Sequence, residues 1–409
     1  MRVAITLLCL SLSVLMGCNA SSSSGPVKVG AQVLLENHLD ELEGKRVGLV
    51  MNPTARVGGS HMLDTLMASG VNVTALFAPE HGFRGDVGAG ETIEDGVDQA
   101  TGLPVFSLYG DTKTPTPKML EKVDVLLFDM QDVGARFYTY NATLGNIIRG
   151  AAPQDVPVWV LDRPNPAGGE FISGWMLQEK HKSFVGAYPI PMAHGMTLGE
   201  LAKMMVGQQW IEDAEESDVR VIQMEGWERS MKWPATELEW IPPSPNLPTF
   251  EHAFVYLGTV LFEGVNISEG RGTSDPFLKL GAPTTKLTSS HIAKLRRKFS
   301  GVNIERISFT PESMPGKALN PDFEGEQCHG IELQVTNPQA FNPIRLGVEL
   351  LATMLDATPE ASLNDFIQKL SGIDKSFLLE QIENESYMDN WEQTARQFAK
   401  QRSQYLLYE

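Results

Sequence analysis

Cysteine is scarce in this chain, with three in 409 residues. That leaves no room for a disulfide framework or a thiolate metal cluster. Cys9 and Cys18 fall in an N-terminal leader, so Cys328 is the one thiol expected in the mature body. Positive charge is scarce too: 33 Lys and Arg against 51 Asp and Glu give a net charge of −18. Nucleic-acid binding needs a basic face that displaces counterions, so no nucleic-acid partner is expected. Beyond the leader no apolar run is long enough to span a bilayer. The His-Glu-x-x-His zinc helix, the Gly-x-Ser-x-Gly elbow and the Gly-x-x-x-x-Gly-Lys phosphate loop are all missing. Where a dinucleotide fingerprint would follow the first strand, Asn52-Pro53-Thr54 stands instead. No cofactor and no bound metal is expected.

The leader has its own reading. Arg2 gives a positive start, and Val3–Met16 is apolar but too short to cross a membrane, which fits a signal peptide over residues 1–18. Its end, Val14-Leu15-Met16-Gly17-Cys18, resembles a bacterial lipobox, which implies lipidation at Cys18. Residues 19–28, rich in serine, read as a flexible tether. Asn19 after the cysteine fits sorting to the outer membrane. The expectation is a soluble body in the cell envelope, facing the periplasm and held to the membrane by its lipid.

What the body does contain is a repeated pattern. Five short apolar runs each stop at a polar cluster: Lys45–Met51 at Asn52, Val71–Ala78 at Glu80-His81, Leu103–Leu108 at Tyr109, Val123–Phe128 at Asp129, and Val158–Leu161 at Asp162. Between them lie helical signals at His61–Ala68, Thr116–Val123 and Phe137–Ala151. Thr197 with Glu200 forms a capping box opening a further helix to Val206. Buried strands alternating with helices predict an α/β parallel sheet, and ligands bind outside the carboxyl ends of such strands. All five clusters then share one rim, which is the arrangement of an enzyme. Four prolines within Pro242–Pro248 break regular structure. They mark the boundary between a first domain, 29–248, and a smaller α+β domain, 249–409. In the second domain the pattern predicts strands at Ala253–Leu261 and Ile331–Thr336. Helices are predicted at Pro343–Met354, Ser362–Leu370 and from Ser386 to about Leu406.

Several residues on the rim can carry chemistry. Glu80 leaves an apolar strand, and the dry surroundings expected there suit a general acid. His81 follows it, and Gly82 and Gly85 let the backbone turn. Asp129, Asp132 and Arg136 form a second cluster; Asp162, Arg163 and Asn165 form a third. In the second domain, the stretch from Asn266 to Thr273 sets Glu269 and Arg271 among glycines, as a binding loop or a surface turn. Cys328-His329 reads as a buried small side chain beside a histidine rather than a catalytic dyad.

Taken together, these segments resemble the exo-β-N-acetylmuramidase family related to NamZ and YbbC. The resemblance rests on Asn52-Pro53-Thr54, Pro79-Glu80-His81-Gly82 and the run from Asp129 to Tyr140. It continues through Leu161–Pro166, His194-Gly195-Met196-Thr197, Pro243-Ser244-Pro245-Asn246 and Ser268–Thr273. It implies a Rossmann-like domain, a smaller partner domain and a cleft between them, with release of N-acetylmuramic acid from non-reducing ends of peptidoglycan fragments. The resemblance implies Glu80 as the catalytic acid, with His81 and Asp129 as further catalytic candidates. For the second group Asp129, Asp162 and Glu269 compete, or the substrate's own 2-acetamido group serves. Asn52, Asp132, Arg136, Tyr138, Asp162, Arg163, Asn165, His194, Asn246, Glu269 and Arg271 are the substrate-binding candidates. Among these, Arg136, Arg163 or Arg271 would meet the lactyl carboxylate of muramic acid. Tyr138, Tyr140 and Trp175 offer ring faces to the sugars. Two other readings stay open: a metal-dependent hydrolase or phosphoesterase built on Glu80, His81, Asp129 and Asp132, and a non-catalytic wall-binding lipoprotein.

Overall fold

The structure is a computed structural model that describes residues 26–80, 82–83, 95–110 and 112–409. The segment read as a signal peptide, the lipidation candidate Cys18 and the catalytic candidate His81 lie outside the described residues.

The first domain is built on a seven-stranded sheet. Its strands are β1 (Val47–Met51), β2 (Val73–Ala78), β3 (Gly96–Val97), β4 (Pro104–Ser107), β5 (Val125–Asp129) and β6 (Val158–Leu161). A small hairpin of β7 (Ser173–Met176) and β8 (Pro191–Ala193) stands apart, and β9 (Val219–Ile222) completes the sheet. The spatial order is β9-β6-β5-β1-β2-β4-β3, all parallel except β3. All five apolar runs became strands of this sheet. Each residue of β1 and β5 is buried, which explains why they read as continuous apolar runs without alternation. One face of the sheet (Leu49, Met51, Leu76, Leu127) packs on helices Gly30–Asn37 and Met62–Ala68. The other (Val50, Phe77, Phe128) packs on Tyr140–Ala151 and Leu198–Gly207.

The chain runs outward from β1 through β2 to β4, then returns to β5 on the other side of β1. Neighbouring strands β1 and β5 therefore send their connections in opposite directions, and a crevice opens above their carboxyl ends. The second domain covers that end. Its sheet contains β10 (Lys279–Ala282), β11 (Val302–Phe309) and β12 (Cys328–Val335), antiparallel in the order β10-β12-β11.

Two expectations need correction. Ala253–Leu261 is not a strand: it lies in helix Phe250–Thr259 and the 3-10 turn Val260–Gly264. From His252 to Thr259 every residue is buried, so no polar stripe betrays the helical period. This helix crosses helix Pro343–Ala357 at glycines: a Cβ on Gly347 would stand 2.3 Å from the Gly258 carbonyl. Residues 27 and 28, expected at the end of the tether, are instead packed on the first domain. Val27 is buried with Met224 and Trp227, and Lys28 exchanges backbone hydrogen bonds of 2.9 and 3.0 Å with Glu225.

The last helix, Tyr387–Arg402, belongs to the second domain in sequence, but its end returns to the first. The Arg402 guanidinium donates to the carbonyls of Gly169, His194 and Gly195. The Tyr408 hydroxyl donates to Asp162 Oδ2 at 2.6 Å, and the Arg229 amide donates to the Glu409 carbonyl at 2.8 Å.

Candidate active site

Between the domains lies a cleft of about 480 Å³. Each sheet strand on its floor contributes the residues that follow it: Glu80 after β2, Tyr109 after β4, and Phe137, Tyr138 and Thr139 after β5. The second domain supplies Tyr256, Glu263, Glu269, Arg271 and Phe277, and the proline-rich loop adds Ser244, Asn246 and Leu247. The opposite walls thus come from segments far apart in sequence.

Glu80 stands half-buried at the sheet side. The Thr139 hydroxyl donates to its Oε2 at 2.8 Å. Tyr109 lies beside it, and burial together with that neighbouring carboxylate raises the phenol's pKa. The Thr139 hydroxyl therefore holds the carboxyl at the cleft edge, next to the Tyr109 ring.

On the facing wall Glu269 is buried and its Oε1 lies 3.0 Å from Arg271 Nε. The Arg271 guanidinium also pairs with Glu263 and sits over the Phe277 ring, 5.1 Å from its centroid. Burial pushes the Glu269 carboxyl up to about 7, against the pull of Arg271 and with a further push from Glu263. The loop can present Glu269 and Arg271 together because Gly270 and Gly272 curl at φ +84° and +76°. Side chains there would meet the Lys279 and Glu312 carbonyls at 2.6 Å.

Aromatic rings close the base of the cleft. Tyr138 meets Tyr140 edge-on at 4.9 Å and Tyr256 at 6.2 Å, and Tyr256 meets Phe277 at 4.7 Å. The Tyr138 hydroxyl is buried without a hydrogen-bond partner among the described residues.

Several sequence candidates stand behind this surface, where they hold it together. Asp129 is fully buried and takes two bonds from Arg163, at 2.5 and 3.1 Å. Each satisfies the other, so neither Asp129 as a catalytic group nor Arg163 as an anion receptor reaches the cleft. Asp162 accepts from Thr197 Oγ1 at 2.7 Å, Gly199 N at 2.9 Å and Tyr408 at 2.6 Å, anchoring the start of helix Leu198–Gly207. Burial still pushes it up to about 6. Asn165 donates to the Met196 carbonyl at 3.0 Å.

Arg136 is buried, and its guanidinium donates to the carbonyls of Trp175, Ile190 and Leu370 at 2.7, 3.0 and 2.8 Å. Burial lowers it to about 9. Trp175 is buried against Trp391, 5.0 Å between centroids, and offers no face to a sugar. Asn52 donates to Tyr140 Oη at 2.7 Å, and that hydroxyl donates to the Pro243 carbonyl at 2.8 Å. Asn52 and Tyr140 thus tie the β1 end to the proline loop. Asp132 accepts from Gly134 N at 2.7 Å and lies 4.0 Å from His194 Nε2. Burial pushes Asp132 up to about 7 and His194 down to about 3. Cys328 is a free, buried thiol pushed up to about 11 by burial, while His329 faces outward.

Of the sequence candidates, Glu80, Tyr138, Asn246, Glu269 and Arg271 line the cleft. Tyr109, Thr139, Tyr256, Glu263 and Lys317 line it as well, and the sequence did not single them out as site residues. Tyr109 carried a signal, since it ends one of the five apolar runs. Tyr256 was hidden because its buried helix has the composition of a strand. Among the described residues no group of three or more His, Cys, Asp and Glu is arranged to hold a metal ion.

A parallel α/β domain capped at its switch point, with Glu80 and Glu269 lining an aromatic cleft from its two sides, has the equipment of a glycoside hydrolase. The family follows from comparison. Residues 47–251 match the family model of the N-terminal domain of exo-beta-N-acetylmuramidase NamZ, and residues 254–408 match that of its C-terminal domain. The chain belongs to this NamZ family. It is 41% identical over 400 residues to the peptidoglycan beta-N-acetylmuramidase NamZ of Bacillus subtilis strain 168, covering 95% of this chain and 93% of that protein. Two crystal structures of DUF1343 family proteins from Bacteroides fragilis NCTC 9343 share the fold. Their TM-scores are 0.83 and 0.78, at 32% and 34% identity, each over 94% of this chain and 99% of theirs.

Proposed function

We propose that this protein is an exo-acting glycoside hydrolase that releases N-acetylmuramic acid from the non-reducing ends of peptidoglycan fragments. Membership of the NamZ family supports the reaction. The observation that carries the residue assignment is that Glu80 and Glu269 line one cleft from opposite domains. In this reading Glu80 protonates the leaving oxygen as the glycosidic bond breaks, and Glu269, from the other wall, takes a proton from the water that attacks the anomeric carbon. A value near 7 suits a general base at neutral pH. Tyr138 and Tyr256 give the base of the cleft an aromatic lining for the sugar.

The test is release of chromophore from a chromogenic N-acetylmuramic acid glycoside, with the N-acetylglucosamine glycoside as control. Purified protein is expected to cleave the first. Glu80→Gln and Glu269→Gln are each expected to lower kcat by at least about 100-fold while still binding fragments. An unchanged rate in either variant removes that residue from the mechanism. The metal-dependent alternative has no observation in its favour, because Asp129 is committed to Arg163 and does not join Glu80.

The envelope location belongs to the same proposal. Leu15-Met16-Gly17-Cys18 supports lipidation at Cys18, and Asn19 supports an outer-membrane site facing the periplasm. Cys18→Ser is expected to release the protein from the membrane fraction.

A further inference from the structure

A muramic acid end brings a carboxylate into a cleft that already holds Glu80, Glu263, Glu269 and Asp322. Unless a cation receives it, that charge is repelled. The three arginines suggested by the sequence are spent: Arg136 on backbone carbonyls, Arg163 on Asp129, and Arg271 on Glu263 with Glu269. Among the described residues lining the cleft, one other cationic residue remains, Lys317. Its side chain is exposed, with no ion pair or hydrogen bond among the described residues.

The backbone beneath that free ammonium is fixed. Met314 and Ala318 exchange backbone hydrogen bonds of 2.7 and 2.9 Å, closing a tight turn that passes through Gly316 at φ +74°. Asn246, buried in the proline-rich loop, donates from Nδ2 to the Lys317 carbonyl at 2.9 Å. A few residues earlier, the Glu312 amide donates to the Gly272 carbonyl at 2.9 Å. The loop between β11 and β12 is thus stitched to two sides of the cleft, with Lys317 at the tip of its turn. Asn246, a substrate-binding candidate from the sequence, spends its amide on holding this turn.

We propose that Lys317 is the specificity-determining residue for the acidic substituent: its ammonium receives the lactyl carboxylate, separating muramic acid from the same sugar without the acid. A lysine suits this place, because a mobile point charge follows a carboxylate on a flexible ether. The assignment rests on the glycosidase reading above.

Calorimetric titration of N-acetylmuramic acid and its lactyl methyl ester into wild type, Lys317→Met and Lys317→Arg tests it, with turnover of the chromogenic glycoside measured in parallel. Wild type is expected to bind the acid about tenfold more tightly than the ester, the scale of one charge-assisted hydrogen bond. Lys317→Met should bind both alike, with ester affinity unchanged, and Lys317→Arg should restore the preference. Exposure of the side chain makes folding of both variants the expected result, checked by their melting curves. A preference that survives in Lys317→Met, or is missing in wild type, overturns the assignment. Lack of turnover with a Lys317-dependent preference intact would overturn the hydrolase reading alone. Failure of wild type to bind either compound overturns the assignment, and failure to turn over the glycoside as well overturns both.

Discussion

Glu269 sits between opposing influences: Arg271 favours its charged form, whereas burial, Glu263 and Asp322 oppose it. Replacing Glu263 with Gln removes one negative neighbour and leaves Arg271 more fully to Glu269. Both changes lower the Glu269 pKa. If Glu269 is the base, the acid limb of kcat/KM in Glu263→Gln should move to lower pH by about one unit, roughly 1.4 kcal/mol. A shift confined to the alkaline limb would make Glu269 the proton donor instead. Asp132 offers a second residue-scale test, through stability. Its folded pKa is raised from 3.8 to about 7, so its contribution is fully present below 3.8 and lost as pH rises through about 7. Asp132→Asn still accepts from the Gly134 amide yet cannot ionise. The unfolding free energy from urea titration should fall less between pH 5 and pH 8 in this variant than in wild type, by roughly 2–3 kcal/mol. Equal losses would show that Asp132 does not titrate in this range.

Helix Phe250–Thr259 bears Tyr256 on the cleft, and the turn after it bears Glu263. Its seat is the glycine crossing with helix Pro343–Ala357. Gly347→Ala would press a methyl group onto the Gly258 carbonyl, and overpacking of this kind costs about 1–3 kcal/mol. The variant should show a lower urea midpoint together with reduced kcat; normal activity at reduced stability would uncouple this seat from the site. The same element marks a limit of sequence reading. A helix buried on nearly all sides has no amphipathic stripe, and its aromatic and β-branched residues resemble a strand. By contrast, the box of Thr197 and Glu200 was legible because capping is local: their reciprocal hydrogen bonds, 3.1 and 3.2 Å, join residues three apart. The strands of the first domain were legible too, since burial on both faces writes itself into composition. Which rim residues face the cleft was not. Asp129 and Glu80 end strands in the same way, and the difference lies in Arg163, which belongs to another strand's end.

At the scale of the molecule, the chain crosses between domains more than once. Arg136 donates to carbonyls of both halves, and the carboxyl-terminal residues return to Asp162, Glu200 and Arg229. Removing residues 406–409 deprives Asp162 of its Tyr408 donor and Glu200 of its Leu407 partner. The truncated protein should unfold at lower temperature by calorimetry and lose activity before it unfolds, as the cleft walls separate. A single transition with full activity up to it would show that the strap is dispensable. These contacts also bear on the order of folding. Tyr408 meets Asp162 across 246 positions of sequence, far more than separates the paired strands of the parallel sheet, and loop closure costs more entropy as the span grows. The sheet with Glu80 at its rim can therefore form first, and the strap over it is the contact expected to close last.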